Sequence, residues 1–161
     1  MRETDKSIEI IIQDMLSGST EKIWSASCAI CSLSQNHEKM LELLPYEQQM
    51  ADATKGINLG GALAPNNRFL KRAFEIINFH KDNNDCPCCL LFEDDNPVHL
   101  VEDGYFTLMD TVYMSGGNYI DYYVVGCKNC GNLYQVEERV YHYPWWDWQL
   151  IGKKGQVGLF T

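Results

Sequence analysis

The sequence predicts an α+β protein in which an N-terminal helical bundle or stack, residues 1–84, packs on a small C-terminal antiparallel β-meander, residues 85–161. Apolar residues recur at helical spacing before residue 85 and at alternate positions after it. Two Cys-x-x-Cys pairs in the second region indicate a metal site that would stabilise a sheet too small to fold well alone. The length of 161 residues and the 45% apolar content allow a real core, and we expect the two regions to form one compact unit.

Apolar stripes separated by breaks predict the helices of the first region. The first stripe comprises Ile8, Ile11, Ile12, Met15 and Leu16, and the Ser-Gly-Ser of residues 17–19 ends it. Further helices are predicted from a Thr20 cap through Cys31, from Glu38 to Leu44, onward from Pro45, and from Asn67 to His80. Residues 56–65 form a predicted loop before the last helix, because glycine and proline concentrate there.

Segments rich in Val, Tyr, Thr and Ile predict the strands of the second region. We expect strands at residues 98–102, 105–114, 119–126 and 133–143. Asp103–Gly104 and Ser115–Asn118 are the turn signals between the first three. These short connections predict an antiparallel meander in which His99 lies on the wetter face of a strand.

The composition limits the classes of partner. The formal net charge is −9, from 22 acidic and 13 basic residues. This charge disfavours binding to a phosphate backbone, which needs clustered Lys and Arg. It suits electrostatic steering toward a basic partner, although an acidic protein without such a partner has the same composition.

The compartment is inferred from the N-terminus and the cysteines. The apolar run from Ile10 to Ile12 is too short for a signal-peptide core, and no stretch is long enough to cross a bilayer. We therefore expect a cytoplasmic protein with reduced thiols. In that compartment the seven cysteines are expected to be metal ligands or small buried residues before disulfides.

Cys86, Cys89, Cys127 and Cys130 are the predicted ligands of one structural Zn²⁺ ion. Two thiolates separated by two residues can meet one ion from a single turn. Glycine directly after Cys130 permits the positive φ that such a turn requires. Four thiolates leave no open position for water, so the zinc is expected to be structural and not catalytic.

Other roles for the cysteines stay open at this point. Cys88 can replace Cys89 through a Cys-x-Cys spacing, although the two-residue gap is the commoner geometry. The paired thiols can also be reduced core residues or a redox dithiol. Cys28 and Cys31 lie within a predicted helix and are expected to pack as small hydrophobic residues, with a second metal or redox site as the alternative.

The paired motifs at 86–89 and 127–130 resemble the zinc-ribbon family, in which two Cys-x-x-Cys turns sit on adjacent β-hairpins. The resemblance covers residues near 86–89 and 127–142. The spacer is longer than in compact ribbons and would have to hold an inserted hairpin, and Leu90 stands where a second glycine is expected. In the helical half, residues 24–30 and 70–74 resemble the inner helices of HEAT-type repeats.

No catalytic constellation is recognisable in the sequence. His37 is interpreted as a surface or capping residue, His80 as a cation at a helix end, and His142 as a packing residue. Phosphate loops, dinucleotide-binding turns and a His-Glu-x-x-His motif are absent from the sequence. A deaminase site fails because Leu91 stands where its second thiolate belongs. We therefore expect that the protein is not an enzyme, with an unrecognised catalytic site as an alternative.

Residues 141–148 form an unusually aromatic segment, Tyr-His-Tyr-Pro-Trp-Trp-Asp-Trp. Three tryptophans in four positions cannot all face one way, so some are expected to pack against the helices. We expect core packing for Trp145 and Trp148. For Trp146, core packing and a binding hot spot on the surface both stay open. Stacking on single-stranded nucleic acid is disfavoured, because residues 90–161 carry ten acidic and only four basic residues.

In size, charge and architecture the chain resembles the immunity proteins that bacteria use to neutralise toxins, often basic nucleases. The resemblance implies a basic protein partner whose active site is covered by carboxylates and aromatic rings. The candidate contact residues are Glu93, Asp94, Asp95, Glu102, Asp103, Asp110, Asp121 and Trp146. A zinc-ribbon nucleic-acid-binding or regulatory module is the alternative.

Overall fold

The computed structural model describes residues 6–82 and 85–153, and it confirms the predicted α+β class. The chain divides into two compact units, Met1–Leu90 and Leu91–Thr161. Helices make up the described structure of the first unit. The second unit holds an antiparallel sheet and one short helix within its described residues.

Five α-helices and two 3₁₀ turns are described in the first unit. They are α1 (Ile8–Leu16), α2 (Thr20–Ser32), α3 (His37–Leu43), a 3₁₀ turn (Leu44–Tyr46), α4 (Glu47–Thr54), α5 (Asn67–Asp82) and a second 3₁₀ turn (Pro87–Leu90). The predicted helical stretch after Leu44 is thus the first 3₁₀ turn followed by α4. Among the described residues, no helix has both the length and the apolar character needed to span a bilayer.

Short polar side chains set where the helices begin. The hydroxyl oxygen of Ser19 accepts a hydrogen bond from the backbone N–H of Lys22. Ser19 is therefore the cap of α2, and Thr20, the predicted cap, is its first helical residue. Asn36 caps α3 in the same way, so that α3 begins at His37, one residue before the predicted start.

The core of the helical unit is built from the predicted apolar stripes. Its largest fully buried side chains are Ile11, Met15, Ile23, Ile30, Met40, Leu43, Met50, Ile76 and Ile77. Cys28 is buried in the same unit, and the half-buried Cys31 packs against this core. The Sγ of Cys31 lies 3.6 Å from the carbonyl oxygen of Phe69. Both cysteines therefore pack as the sequence analysis expects.

Residues 97–102 form a helix, α6 (Pro97–Glu102), where the sequence analysis predicts a strand. The side-chain oxygen of Asn96 accepts a hydrogen bond from the Val98 N–H, and Pro97 occupies the first helical turn. A capping residue followed by proline is a stronger signal than alternation over five residues, so the strand prediction is wrong. His99 is exposed on this helix and is not on a strand.

Four strands form the predicted meander within the described residues, in the order β1-β2-β3-β4. They are β1 (Phe106–Tyr113), β2 (Ile120–Cys127), β3 (Asn132–Val140) and β4 (Pro144–Lys153), and all neighbours are antiparallel. β4 is not among the predicted strands, and it contains the three tryptophans of the aromatic segment. The turn at Ser115–Asn118 joins β1 to β2 as predicted, whereas Asp103 caps the end of α6.

One face of the sheet, the core face, carries the apolar residues of the second unit. The strand register places Phe106, Val125, Tyr134, Val136 and Trp148 on this face, since directly paired residues point to the same side. Phe106, Val125 and Val136 are at most 1% exposed. Helix α6 lies against this face, and Val98 and Val101 share a small groove with Leu108, Tyr123 and Val125.

Candidate metal centre

The first cysteine motif folds as a tight turn at residues 86–90, the first knuckle. Cys86 precedes the 3₁₀ turn of Pro87–Leu90, and its carbonyl oxygen accepts a hydrogen bond of 3.3 Å from the Cys89 N–H. Cys88 is only 1% exposed. Cys89 is exposed and Cys86 is half-buried. The turn therefore directs adjacent thiols to different environments.

Two side chains of the helical unit hold the first knuckle. The amide Nε2 of Gln35 donates a hydrogen bond of 2.8 Å to the carbonyl oxygen of Pro87. The guanidinium of Arg72, on α5, donates to the carbonyl oxygen of Leu90. Gln35 is 8% exposed, so its hydrogen bond is made with little competition from water. These contacts fix both ends of the 3₁₀ turn.

The second cysteine motif is the connection between β2 and β3, the second knuckle (residues 127–131). Cys127 is the last residue of β2 and is 5% exposed, while Cys130 is exposed. Gly131 has a φ of 79°, which confirms the predicted need for glycine after the second cysteine. Its N–H donates a hydrogen bond of 2.9 Å to the carbonyl oxygen of Cys127, and the Lys128 N–H donates to Tyr105 at 3.1 Å.

Four thiols from the two knuckles come together. The Sγ atoms of Cys86, Cys88, Cys127 and Cys130 all lie within 4.8 Å of one another. In a tetrahedral zinc site with Zn–S bonds near 2.3 Å, the sulfur atoms are about 3.8 Å apart. The observed limit is therefore within about 1 Å of what a tetrathiolate ion requires. Such a group of sulfur donors can hold a metal ion such as zinc.

Cys88 occupies the fourth position of this group, which the sequence analysis assigns to Cys89. Cys88 and Cys89 are adjacent in this 3₁₀ turn, so their side chains point in different directions. The turn is held at Pro87 and Leu90, and in this setting Cys88 is buried and Cys89 is exposed. The structure thus favours the Cys-x-Cys alternative for the first knuckle.

The zinc-ribbon resemblance applies differently to the two knuckles. The second knuckle sits on a β-hairpin, as in a ribbon. The first lies in a 3₁₀ turn that follows α5 in the chain, so it is not on a hairpin. The spacer holds α6 together with the inserted hairpin of β1 and β2. The cluster of Cys86, Cys88, Cys127 and Cys130 is compatible with a ribbon-like site.

The helical unit contains a contact between the buried His80 and the exposed His37, which the sequence analysis does not anticipate. His80 is 4% exposed, and its Nε2 lies 2.7 Å from the carbonyl oxygen of Ser34. Since a carbonyl only accepts, this Nε2 carries a hydrogen. The Nδ1 of neutral His80 then accepts from the Nδ1–H of His37 across 2.9 Å.

His80 is therefore a neutral residue of the helical core. Burial, and then the nearby His37, lower its pKa below the ordinary value, while the hydrogen bond to Ser34 opposes this. The interpretation of His80 as a cation at a helix end is wrong. A signal was present: His80 continues the apolar stripe of Ala73, Ile76 and Ile77 at helical spacing, which predicts burial.

The three tryptophans of β4 have three different surroundings. The ring of Trp148 lies 5.7 Å from Phe106 and 5.6 Å from Tyr134, and its Nε1–H donates to the carbonyl oxygen of Asp95 at 2.9 Å. This confirms the expected packing of Trp148. Trp146 is half-buried, on the same face, with its ring 6.2 Å from Tyr123. Trp145 is half-buried on the opposite face, where it pairs with Arg139 across the strands, and it lies outside the core face.

The structure places the remaining predicted contact residues in four segments of the second unit: the turn before α6, the end of α6, β1 and β2. Asp94, Glu102, Asp103, Asp110 and Asp121 are exposed, and Glu93 and Asp95 are half-buried. One carboxylate oxygen of Asp95 accepts a hydrogen bond of 2.8 Å from the Phe92 N–H, and the carbonyl oxygen of Glu93 accepts one from the Trp146 N–H. Asp95 therefore shapes the turn at 92–95 in addition to any contact role.

Comparisons of the chain with family models, with curated proteins and with solved structures find no match. The resemblances to HEAT-type repeats and to toxin-immunity proteins therefore gain no support from known relatives. The metal centre is argued from the positions of its sulfur atoms alone.

Proposed function

We propose that Cys86, Cys88, Cys127 and Cys130 bind one structural zinc ion. The observation that carries this proposal is the group of four sulfur atoms within 4.8 Å of one another. Sulfur-only donor sets favour zinc over magnesium, calcium and manganese. Four protein ligands leave no position for water, so the ion stabilises the two knuckles and does not activate a nucleophile.

Cobalt substitution tests the coordination directly. Titration of the reduced, metal-free protein with Co²⁺ should give the intense d–d bands of a tetrahedral site and a thiolate-to-cobalt charge-transfer band. Both should saturate at one equivalent and disappear on addition of Zn²⁺, which thiolates bind more tightly. A pale, octahedral spectrum would contradict a tetrathiolate site.

We further propose that the zinc-stabilised protein acts by binding a basic protein partner and is not an enzyme. An immunity protein or inhibitor that covers the active site of a toxin such as a nuclease is the specific form of this proposal. Its support is the net charge of −9 and the exposed carboxylates of the second unit, which favour fast association with a basic surface. A reducing cytoplasm is the compartment in which a thiolate site of this kind persists.

The partner proposal is tested in two stages. Proteins captured from native lysate by the tagged, zinc-loaded chain are identified, and the stoichiometric one is then purified and measured alone. Combined Glu102→Gln, Asp110→Asn and Asp121→Asn changes should slow association on the order of fivefold while leaving the fold intact. The matched control changes three exposed glutamates of the helical unit: Glu21→Gln, Glu38→Gln and Glu42→Gln.

Two outcomes would overturn the partner proposal. If no protein is retained and an oligonucleotide binds with strong salt dependence, the zinc-ribbon nucleic-acid module becomes the better account. If the partner binds both triple variants equally well, the carboxylates of the second unit are not its contact surface.

A further inference from the structure

An open groove lies at the end of the sheet where β1 turns into β2. It has a volume of about 520 Å³ and is bordered by the β1–β2 hairpin and by β3. Its lining includes Tyr119, Tyr122 and Tyr123 and the carboxylates of Asp121 and Glu138, and Tyr123 is on the core face of the sheet. Helix α6 lies against β1 and β2 at the small groove shared by Val98 and Leu108 and is not part of this lining.

The aromatic rings near this groove differ in exposure, since Tyr123 and Trp146 are half-buried. Tyr119 is 75% exposed. The ring centroids of Tyr123 and Trp146 are 6.2 Å apart at an angle of 47°. Trp146 pairs with Glu138 across β3 and β4, so its ring stands beside that carboxylate on the core face. Faces of tyrosine and tryptophan attract cations through the ring quadrupole.

The charges at the groove are of one sign. Asp121 and Glu138 are its charged lining residues, and no Lys, Arg or His is among the described residues that border it. The nearby Arg139 is engaged elsewhere, 2.6 Å from Glu137 and 3.6 Å from Asp147. Burial, followed by the charges of Glu138 and Tyr113, raises the pKa of Tyr123, as expected where the local potential is negative.

We propose that this groove binds a cationic side chain, the guanidinium of an arginine or the ammonium of a lysine, presented by a partner polypeptide. The cation lies between the carboxylates of Asp121 and Glu138 and against the rings of Tyr123 and Trp146. The aliphatic stem of the same side chain packs on the apolar edge of the groove, which Ile120 and Val140 provide. The inference rests on the proposed binding of a basic protein, and it names the part of that protein that is recognised.

The test uses two peptides that differ only in charge. ¹⁵N-labelled, zinc-loaded protein is titrated with acetyl-Gly-Arg-Gly-amide and with the same peptide carrying citrulline, the uncharged analogue of arginine. The arginine peptide should shift the amide signals of residues 119–123 and 138 and the indole signal of Trp146. The citrulline peptide should leave them in place. Equal shifts with both peptides, or shifts confined to other residues, would overturn the proposal.

A variant with its matched control separates this groove from general acidity. Glu138→Gln keeps the size of the side chain and should raise the Kd of the arginine peptide about threefold to fivefold. Glu42→Gln, the same change at an exposed position on α3, should leave the Kd unchanged. Trp146→Leu should also weaken binding, with its amide spectrum showing whether the sheet is intact. If Glu138→Gln and Glu42→Gln have equal effects, the groove is not the site.

The two proposals fail differently. Groove binding of the arginine peptide without any retained protein partner would overturn the proposed function and leave the cation site standing. A partner whose association is unaffected by Glu138→Gln would overturn this inference and leave the proposed function standing.

Discussion

The buried imidazole of His80 has a single arrangement that satisfies both of its neighbours. Its Nε2–H is committed to Ser34 and its Nδ1 lone pair to His37. A second proton on His80 would require the Nδ1 of His37 to change from donor to acceptor and would leave a charge in the helical core. Geometry and burial therefore act in the same direction, and both favour the neutral ring.

This arrangement predicts a loss of stability on acidification. The unfolded chain protonates this histidine near pH 6.5, whereas the lowered pKa means that the folded chain does so only at lower pH. The stability that neutral His80 provides is therefore present above about pH 6.5 and is lost as the pH falls toward the folded pKa. Protonation of the thiolates at the proposed zinc site would act in the same direction, so a variant is needed to separate the contribution of His80.

Urea unfolding at pH 7.5, 6.5 and 5.5 provides the measurement. As the pH is lowered, the free energy of unfolding should decrease less steeply in His80→Gln than in the wild type. His99→Gln removes an exposed histidine of α6 and should keep the wild-type slope. If His80→Gln and the wild type lose stability in parallel, His80 is not the group responsible.

At the scale of elements, the first knuckle depends on residues far from it in the chain. Gln35 follows α2, and Arg72 lies on α5, and they hold the two ends of the 3₁₀ turn. Cys86, Cys88 and Cys89 lie within four residues of the chain. The orientation of the 3₁₀ turn sets which of their thiols point toward Cys127 and Cys130. The motif at 86–89 therefore predicts a metal site, and the contacts from Gln35 and Arg72 hold the turn in which Cys88 lies near Cys86, Cys127 and Cys130.

Loss of the anchor at Gln35 should weaken metal binding without removing a ligand. Supporting residues around a metal site typically contribute tenfold or more to affinity, so Gln35→Ala is expected to raise the zinc Kd about tenfold. Competition with a chromophoric chelator measures this. Gln48→Ala, on the exposed side of α4, is the control, because the Gln48 amide donates to Asp52 on the same helix. Equal affinities in the two variants would show that the anchor does not act on the site.

The short helix α6 shows where sequence patterns misled the prediction. Val98, His99 and Leu100 alternate in polarity as a strand does, yet Asn96 and Pro97 form a helix start. Strong periodicity over nine or more residues located α1, α2 and α5 correctly, because a pattern of that length fits the helix period and not the strand period. Over five residues the helix and strand periods cannot be told apart, and the local capping hydrogen bond decides.

Replacement of the cap tests this explanation. Asn96→Ala should lower the free energy of unfolding by about 1 kcal/mol, since it removes the acceptor for the Val98 N–H. Asn96→Ser retains a capping oxygen and should stay within a few tenths of a kcal/mol of the wild type. Urea denaturation at pH 7.5 compares them. Equal destabilisation by alanine and serine would mean that the cap is not what holds α6.

For the whole molecule, the proposed zinc ion would stabilise both cysteine knuckles. Four thiolates within 4.8 Å of one another would repel one another without a cation between them. The binding free energy of such a site is folding free energy. Removal of zinc by a strong chelator is therefore expected to lower the unfolding temperature of the zinc-loaded protein.

The most direct test of the metal centre is the zinc content of the wild-type protein and of Cys88→Ser and Cys89→Ser, purified under reducing conditions and measured by inductively coupled plasma mass spectrometry. We predict one zinc per chain in the wild type and in Cys89→Ser, and a large loss in Cys88→Ser. Retention of zinc by Cys88→Ser with its loss in Cys89→Ser would contradict the ligand set described here. Absence of zinc from the wild type, even after reconstitution, would contradict the metal centre itself.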